Sequence, residues 1–226
     1  TDVPGAVVVD MGGTTTDVSI IRDGVPLFTE GGIQIEKWKT FVKGLYVDTF
    51  ALGGDTAVRF EQSLFLDTCR ILPLCSLASR FPEVLKQLQE LDRYEKGHPM
   101  PVHEFFLLLK ELPEPAAYTE MERKICQTLK EGPLSLENLG RALGRDIYAL
   151  KTERLEQEGI ILRSGLTPTD IMHIRGDFSE YCREASVRAA SFVARSLGLT
   201  VDEICDRVYD LVEKRLYCNL VRILLQ

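Results

Sequence analysis

Val9-Asp10-Met11-Gly12-Gly13-Thr14-Thr15-Thr16-Asp17 is the stretch whose reading decides the fold. The apolar run Ala6 to Val9 leads into it and Val18-Ser19-Ile20-Ile21 leads out, so the segment reads as strand, tight turn, strand. Each part has a physical use. Glycines let backbone N–H groups approach an anion closely, and the hydroxyls and amides of Thr14, Thr15 and Thr16 can donate to phosphate oxygens without a lysine. Asp10, ending the strand, suits a hydrated magnesium ion, which keeps several waters and takes few protein carboxylates. Asp17 is placed to orient the turn. The plainer reading is a β-hairpin with glycines for turn geometry and threonines as ordinary strand residues. An acidic strand end, a glycine pair and three hydroxyls in that order favour the phosphate reading.

Outward from this stretch, Asp23-Gly24 marks a hairpin turn, and Val25 to Phe28, Ile33 to Trp38 and Val47 to Leu52 continue with strand-favouring residues. The last of these ends at Gly53-Gly54. Trp38 reads as core rather than as a base-stacking platform. From Arg80 the character turns helical: Pro82 can open a helix whose Val84, Leu85, Leu88 and Leu91 recur at helical spacing. Pro99, Pro101, Pro113 and Pro115 bracket one apolar segment, His103 to Leu112, which reads as linker. The organisation expected is an α/β lobe over 1–80 and 164–226, a helical linker over 81–118 and an insertion over 119–163.

That insertion opens on a capping box, Thr119 with Glu122, ahead of Met121, Ile125 and Leu129. A second helix starts at Ser135 and ends at Gly144. Asp146 caps a third through Ile147, Leu150 and Leu155 to Gly159, followed by a short strand at Ile160 to Leu162. Three short helices and a strand resemble a winged helix-turn-helix. Phosphate contacts need net positive charge, whereas Thr119 to Arg163 holds eight basic and eight acidic residues. A packing or protein-contact module is therefore expected over a DNA reader. After Asp170 the pattern is helical, with Tyr181, Ala185, Ala189, Phe192 and Val193 on one face. A capping box at Thr200 and Glu203 then opens a last helix with a stripe through Ile204, Val208, Leu211, Leu216, Leu220 and Ile223.

Bulk properties bound the class. The chain has 226 residues, 45% hydrophobic and 27% charged, and no apolar run long enough for a membrane span. The expectation is a soluble, cytoplasmic chain. A net charge of −7 argues against nucleic acid as the main partner. Six cysteines without a C-x-x-C pair read as reduced core thiols. His98, His103 and His173 have no zinc spacing, although His173 follows Asp170 closely enough to stand as a candidate metal ligand or acid–base group. Arg22 and Arg59, near the two glycine clusters, are candidates for neutralising phosphate. Starting at Thr1 almost on the motif and stopping at Gln226 inside an apolar pattern, the sequence reads as an excised fragment.

The motif resembles the phosphate loops of the actin, Hsp70 and sugar-kinase superfamily, and more narrowly the hydantoinase/oxoprolinase family, whose V-D-[MV]-G-G-T-S-T-D-V motif is matched by Val9 to Val18 with Thr15 at the serine position. Val47 to Thr56 looks like the family's second glycine cluster, and Thr167-Pro168-Thr169-Asp170 like its P-T-V-T-D-A segment. The middle of the chain departs from the family, so its substrate pocket is not carried over. The resemblance implies an RNase H-like lobe, of actin or sugar-kinase type, with a winged-helix-like insertion and C-terminal helices. It implies ATP and magnesium as cofactors, and an ATP-dependent hydrolase that opens small cyclic amides after phosphorylating the carbonyl oxygen. Gly12, Gly13, Thr14, Thr15 and Thr16 would contact phosphates, Asp10 would serve the metal, and Gly53, Gly54 and Asp55 would line the nucleotide side. Asp10, Asp17 and Asp170 are the catalytic candidates, with Thr169 and Asp170 closing the site. The family's separate N-terminal domain has no counterpart in this sequence, which implies a missing domain or partner subunit; a homo-oligomer stays open. Two other classes compete: a nucleotide- or ligand-sensing regulator carrying a winged helix, and an activator ATPase acting on a partner protein.

Overall fold

In this computed structural model the described residues are 4–29, 34–35, 38–39 and 43–225, with 34–35 and 38–39 described by backbone alone. They form an α/β protein that packs as two compact units, divided between Gly54 and Asp55 and again between Val212 and Glu213. The expectation for Trp38 concerns a side chain outside the described residues.

The first unit is built on an antiparallel hairpin. Strands β1 (Gly5–Met11) and β2 (Thr16–Arg22) pair in unbroken register from Gly5 opposite Arg22 to Met11 opposite Thr16. The Asp23-Gly24 turn, with φ of 54° and 75°, returns the chain to β3 (Val25–Pro26) with the twist a tight hairpin requires. After the two-residue strands β4 (Gln34–Ile35) and β5 (Trp38–Lys39) comes β6 (Val47–Phe50), which shares with β3 the side of β2 away from β1. Val18, in the middle strand, is fully buried, as alternation along β2 requires. The apolar run of β1 is not: Val7, Val8 and Val9 are 40%, 46% and 39% exposed, because β1 pairs only with β2 among the described strands.

The second unit opens with the hairpin β7 (Thr56–Phe60) and β8 (Leu64–Arg70), then β9 (Leu72–Pro73), α1 (Leu74–Arg80) and α2 (Glu83–Glu90). Pro82 precedes α2 as expected, and Val84 and Leu88 are buried. The apolar segment between the prolines supplies β10 (Phe105–Leu108), whose Phe105 and Phe106 are at most 1% exposed. Next come α3 (Glu120–Thr128), β11 (Leu134–Ser135), α4 (Leu136–Leu143), α5 (Glu153–Gln157) and β12 (Ile161–Gly165). The sheet runs β11-β10-β12-β9, antiparallel except for β12 with β9. Thus β10 is an inner strand rather than a tether.

The caps read from the sequence are present. Thr119 and Glu122 close a full capping box on α3, Ser135 accepts from the Asn138 amide to start α4, and Gly144 ends it in the left-handed region. The third helix differs. Asp146 caps only a single 3-10 turn, Ile147–Ala149, Leu150 is extended, and α5 begins at Glu153. The reason lies in β12: Arg163 binds both Thr152 Oγ1 and the Glu156 carboxylate, fixing the start of α5 where the guanidinium reaches it. The faces of α3, α4 and α5 bury Ile125, Leu139 and Leu155, with Leu129 from the 3-10 turn after α3, against Phe106 and Ile161. The chain then forms α6 (Pro168–Arg175), α7 (Arg183–Leu197) and α8 (Val201–Leu224). Ala185, Ala189 and Ala190 give α7 a small-residue face that is fully buried. Ile204 and Val208 bury the beginning of α8 in the second unit, while Ile223 is buried in the first. Among the described residues no helix is long and apolar enough to cross a membrane.

Candidate functional site

The hairpin closes on itself through the Gly12 amide, which donates to the Thr15 carbonyl at 2.9 Å, leaving Gly13 and Thr14 at the tip. Gly12, Gly13 and Thr14 are exposed. Among the described residues the Gly13 and Thr14 amides and the Thr14 and Thr15 hydroxyls take no partner. Thr16 does the opposite of what the motif suggests. It is fully buried, and its hydroxyl donates to the Leu52 carbonyl at 2.8 Å. One hydroxyl of the three therefore ties the hairpin inward, while Thr14 is exposed and Thr15 half-buried.

The second glycine cluster lies behind the turn. The Gly54 amide donates to the Gly12 carbonyl at 3.1 Å, so both hydrogen-bonding groups of Gly12 are committed. Gly53 is buried against the same backbone: a Cβ there would lie 2.6 Å from the Gly12 oxygen and from the Gly13 carbonyl atoms. The register also sets Asp10 opposite Asp17 and Asp17 opposite Thr49. Directly opposed residues of antiparallel strands project from one face of the sheet, and two like charges so placed repel. Thr49 relieves Asp17 in part, its hydroxyl donating to Oδ1 at 2.5 Å. Asp10 is exposed. This donor set, one open carboxylate opposite a second, fits a hydrated magnesium ion, which needs only one or two protein oxygens.

Asp55 and Asp170 lie in the other unit. Arg70 Nε holds the Asp55 carboxylate at 3.2 Å; burial pushes its pKa up against the pull of Arg70, and Asp170 adds to the rise. Asp170 is fully buried. Its Oδ2 accepts from the amides of Leu74 (3.2 Å) and Thr167 (3.0 Å) and from Thr167 Oγ1 (2.9 Å), while Oδ1 accepts from the Cys75 amide (2.8 Å) and Ser186 Oγ (2.7 Å). Burial pushes this carboxyl up against the donors of Cys75, Ser186 and Thr167. So placed, Asp170 joins the start of α1, the cap of α6 and the side of α7; no face of it is open to a ligand. Thr169 turns its carbonyl to His173 Nδ1 at 2.8 Å.

The remaining candidates are engaged elsewhere. His173 donates from Nδ1 to Thr169 and accepts at Nε2 from the Tyr181 amide at 3.1 Å, so the backbone occupies both ring nitrogens. Arg22 ends β2 opposite Gly5, about 20 Å along the strand from Thr16, too far to meet a phosphate at the turn. Arg59 pairs with Asp67 at 3.1 Å and lies 3.8 Å from the buried Glu104. All six cysteines are free, but only Cys75, Cys126 and Cys205 are core thiols; Cys182 is half-buried, and Cys69, near the end of β8, and Cys218, on α8, are exposed. Among the described residues no three His, Cys, Asp or Glu side chains gather as metal ligands. Sequence reasoning missed Thr49 and the Leu52 carbonyl. The signal for Thr49 was the strand alternation of Val47 to Phe50, usable only once the pairing with β2 is known.

No curated protein matches the sequence. A family model does match over part of the chain, from residue 2 to residue 67, a span that takes in both glycine clusters and ends before Thr167 to Asp170. The family whose model residues 2–67 match is hydantoinase/oxoprolinase, and the chain is consistent with a fragment of that family.

Proposed function

We propose that the turn from Gly12 to Thr15 receives the polyphosphate of magnesium-ATP, and that the chain is part of an ATP-dependent hydrolase opening small cyclic amides in the cytoplasm. One observation carries the reading: among the described residues the Gly13 and Thr14 amides and the Thr14 and Thr15 hydroxyls take no partner, at an exposed tip whose back is fixed by Gly54 and Thr16. Donors that are already oriented cost no rearrangement when negative charge arrives, which is the property a phosphate grip needs. Asp10, with Asp17 opposite it, would hold the magnesium ion through one carboxylate, and Thr49 keeps Asp17 in place. The bound nucleotide would supply the phosphoryl group that turns an amide carbonyl into a centre water can attack. The protein's share in such a reaction is positioning and charge stabilisation.

In this reading the hairpin belongs to an RNase H-like lobe, and residues 119–163 are a winged-helix-like insertion that serves packing or protein contact. Three of the five arginines of that insertion support the second point. Arg154 binds Glu158 at 2.8 Å and lies over the Tyr118 ring, Arg141 binds Glu137 at 3.3 Å, and Arg163 binds Glu104 at 2.5 Å and Glu156 at 2.7 Å. Cations so committed are not offered to phosphates of a duplex. A further domain or partner subunit would complete the substrate pocket.

The test is calorimetric titration of magnesium-ATP into the full chain and into a Thr14→Ala, Thr15→Ala variant, followed by phosphate release in the presence of cyclic amides. Loss of two hydroxyl donors to a charged group should weaken binding at least tenfold, since each such bond contributes about 1.5–3 kcal/mol. Equal affinity in the two proteins would remove the site.

A further inference from the structure

We infer that Gly53 and Thr16 are positioning residues, a buttress that sets the direction of the outward donors at the turn, and that the second glycine cluster acts on the polyphosphate only through the first. The inference rests on the proposed binding of magnesium-ATP at this turn. Both clusters look alike in sequence, and both would be read as loops that touch the ligand. Their geometry separates them. Gly12, Gly13 and Thr14 are exposed, whereas Gly53 is buried beneath them. Any side chain at Gly53 would meet the Gly12 oxygen and the Gly13 carbonyl group at 2.6 Å, about 1 Å inside ordinary contact. These atoms are backbone and cannot swing aside, so the turn itself would have to move.

Two hydrogen bonds hold the joint from either side. The Gly54 amide grips the Gly12 carbonyl at 3.1 Å, and the Thr16 hydroxyl grips the Leu52 carbonyl at 2.8 Å. With the Gly12 amide bound to Thr15 at 2.9 Å, the peptides on both sides of Gly12 are tied by hydrogen bonds. What remains open, the Gly13 and Thr14 amides, points where this joint points it. By contrast, a Cβ on Gly12 would meet only the Thr15 oxygen at 3.6 Å, an ordinary contact. Glycine at 53 answers to the close approach of two backbones rather than to a ligand.

The experiment measures the dissociation constant of magnesium-ATP by calorimetry, and the thermal midpoint without ligand, for the full chain and for Gly53→Ala, Thr16→Val and Thr16→Ser. A shift of about 1 Å in oriented donors costs up to roughly a hundredfold. Gly53→Ala should therefore bind at least tenfold more weakly at full stoichiometry. Thr16→Val, which removes the bond to Leu52, should weaken binding in the same direction, and Thr16→Ser, which keeps it, should restore the parent affinity. Gly53→Ala or Thr16→Val binding as tightly as the parent, with or without a lower midpoint, would overturn the buttress while leaving nucleotide binding intact. Should Gly53→Ala not fold, the Thr16 pair alone decides. No binding by the parent chain would instead overturn the nucleotide reading and this inference with it.

Discussion

Replacing His103 by phenylalanine should make the protein resist acid. His103 is 1% exposed and both its ring nitrogens are without a hydrogen-bond partner among the described residues. It lies between Phe60 and Phe192, ring centroids 6.0 and 5.2 Å away. Burial lowers its pKa to about 4; Glu104 pulls it up and Arg59 pushes it down. An unfolded chain takes up a proton near pH 6.5, which the folded one refuses, so stability is full above that value and falls as the pH drops toward 4. The whole shift corresponds to about 3 kcal/mol, and the part expressed between pH 7 and pH 5 to about 2 kcal/mol. Phenylalanine is of similar shape and suits the aromatic neighbours, so His103→Phe should lose no more than about 1.5 kcal/mol at neutral pH. Urea unfolding followed by circular dichroism at pH 7, 6 and 5 gives the comparison directly. The stability of parent minus variant should fall by about 2 kcal/mol across that series. A difference that stays flat would show that the imidazole finds a partner or water in solution, and the account of this buried histidine would fail.

Three further outcomes follow from the geometry. Asp170→Asn places an amide donor among five donors; two or three acceptances are lost, and the second unit should be destabilised by about 3 kcal/mol or more in chemical denaturation. An effect below 1 kcal/mol would contradict the bracket described for that carboxylate. Arg163→Met strands the buried Glu104 and should cost about 3–5 kcal/mol, much of it recovered in the double variant Arg163→Met, Glu104→Leu; additive losses would deny the coupling. Finally, fluorescence anisotropy with duplex DNA at low salt should register no binding by the full chain, and a steep salt-dependent affinity would return residues 119–163 to the regulator class.

Much of the secondary structure was legible because local chemistry writes it. Thr119 with Glu122, Thr200 with Glu203, Ser135 and Gly144 each mark a helix end through bonds made within one turn of chain. The hairpin of β1 and β2 was legible for the same reason. What stayed hidden depends on distant partners. Phe105 to Leu108 reads as linker because prolines flank it, and it is a strand because Ser164 to Ile161 lies beside it. The break at Leu150 is set by Arg163, which no periodicity in 146–159 reveals. In the candidate site the outward donors of Gly13, Thr14 and Thr15 could be read from composition. The inward turn of Thr16 could not, since three adjacent threonines are chemically alike until the register assigns one of them to the interior.

The Asp170 carboxylate has a consequence for how the second unit assembles. It ties the amides of Leu74 and Cys75 to residue 170, so it closes a loop spanning 95 residues of chain. Bringing such distant ends together is a late and entropically demanding event unless the intervening chain has already drawn itself in. The helices and strands between α1 and α6 therefore have to condense before the knot can be tied. A lesion deep among Leu129, Leu139 and Leu155 should accordingly slow refolding at a place far from where it sits.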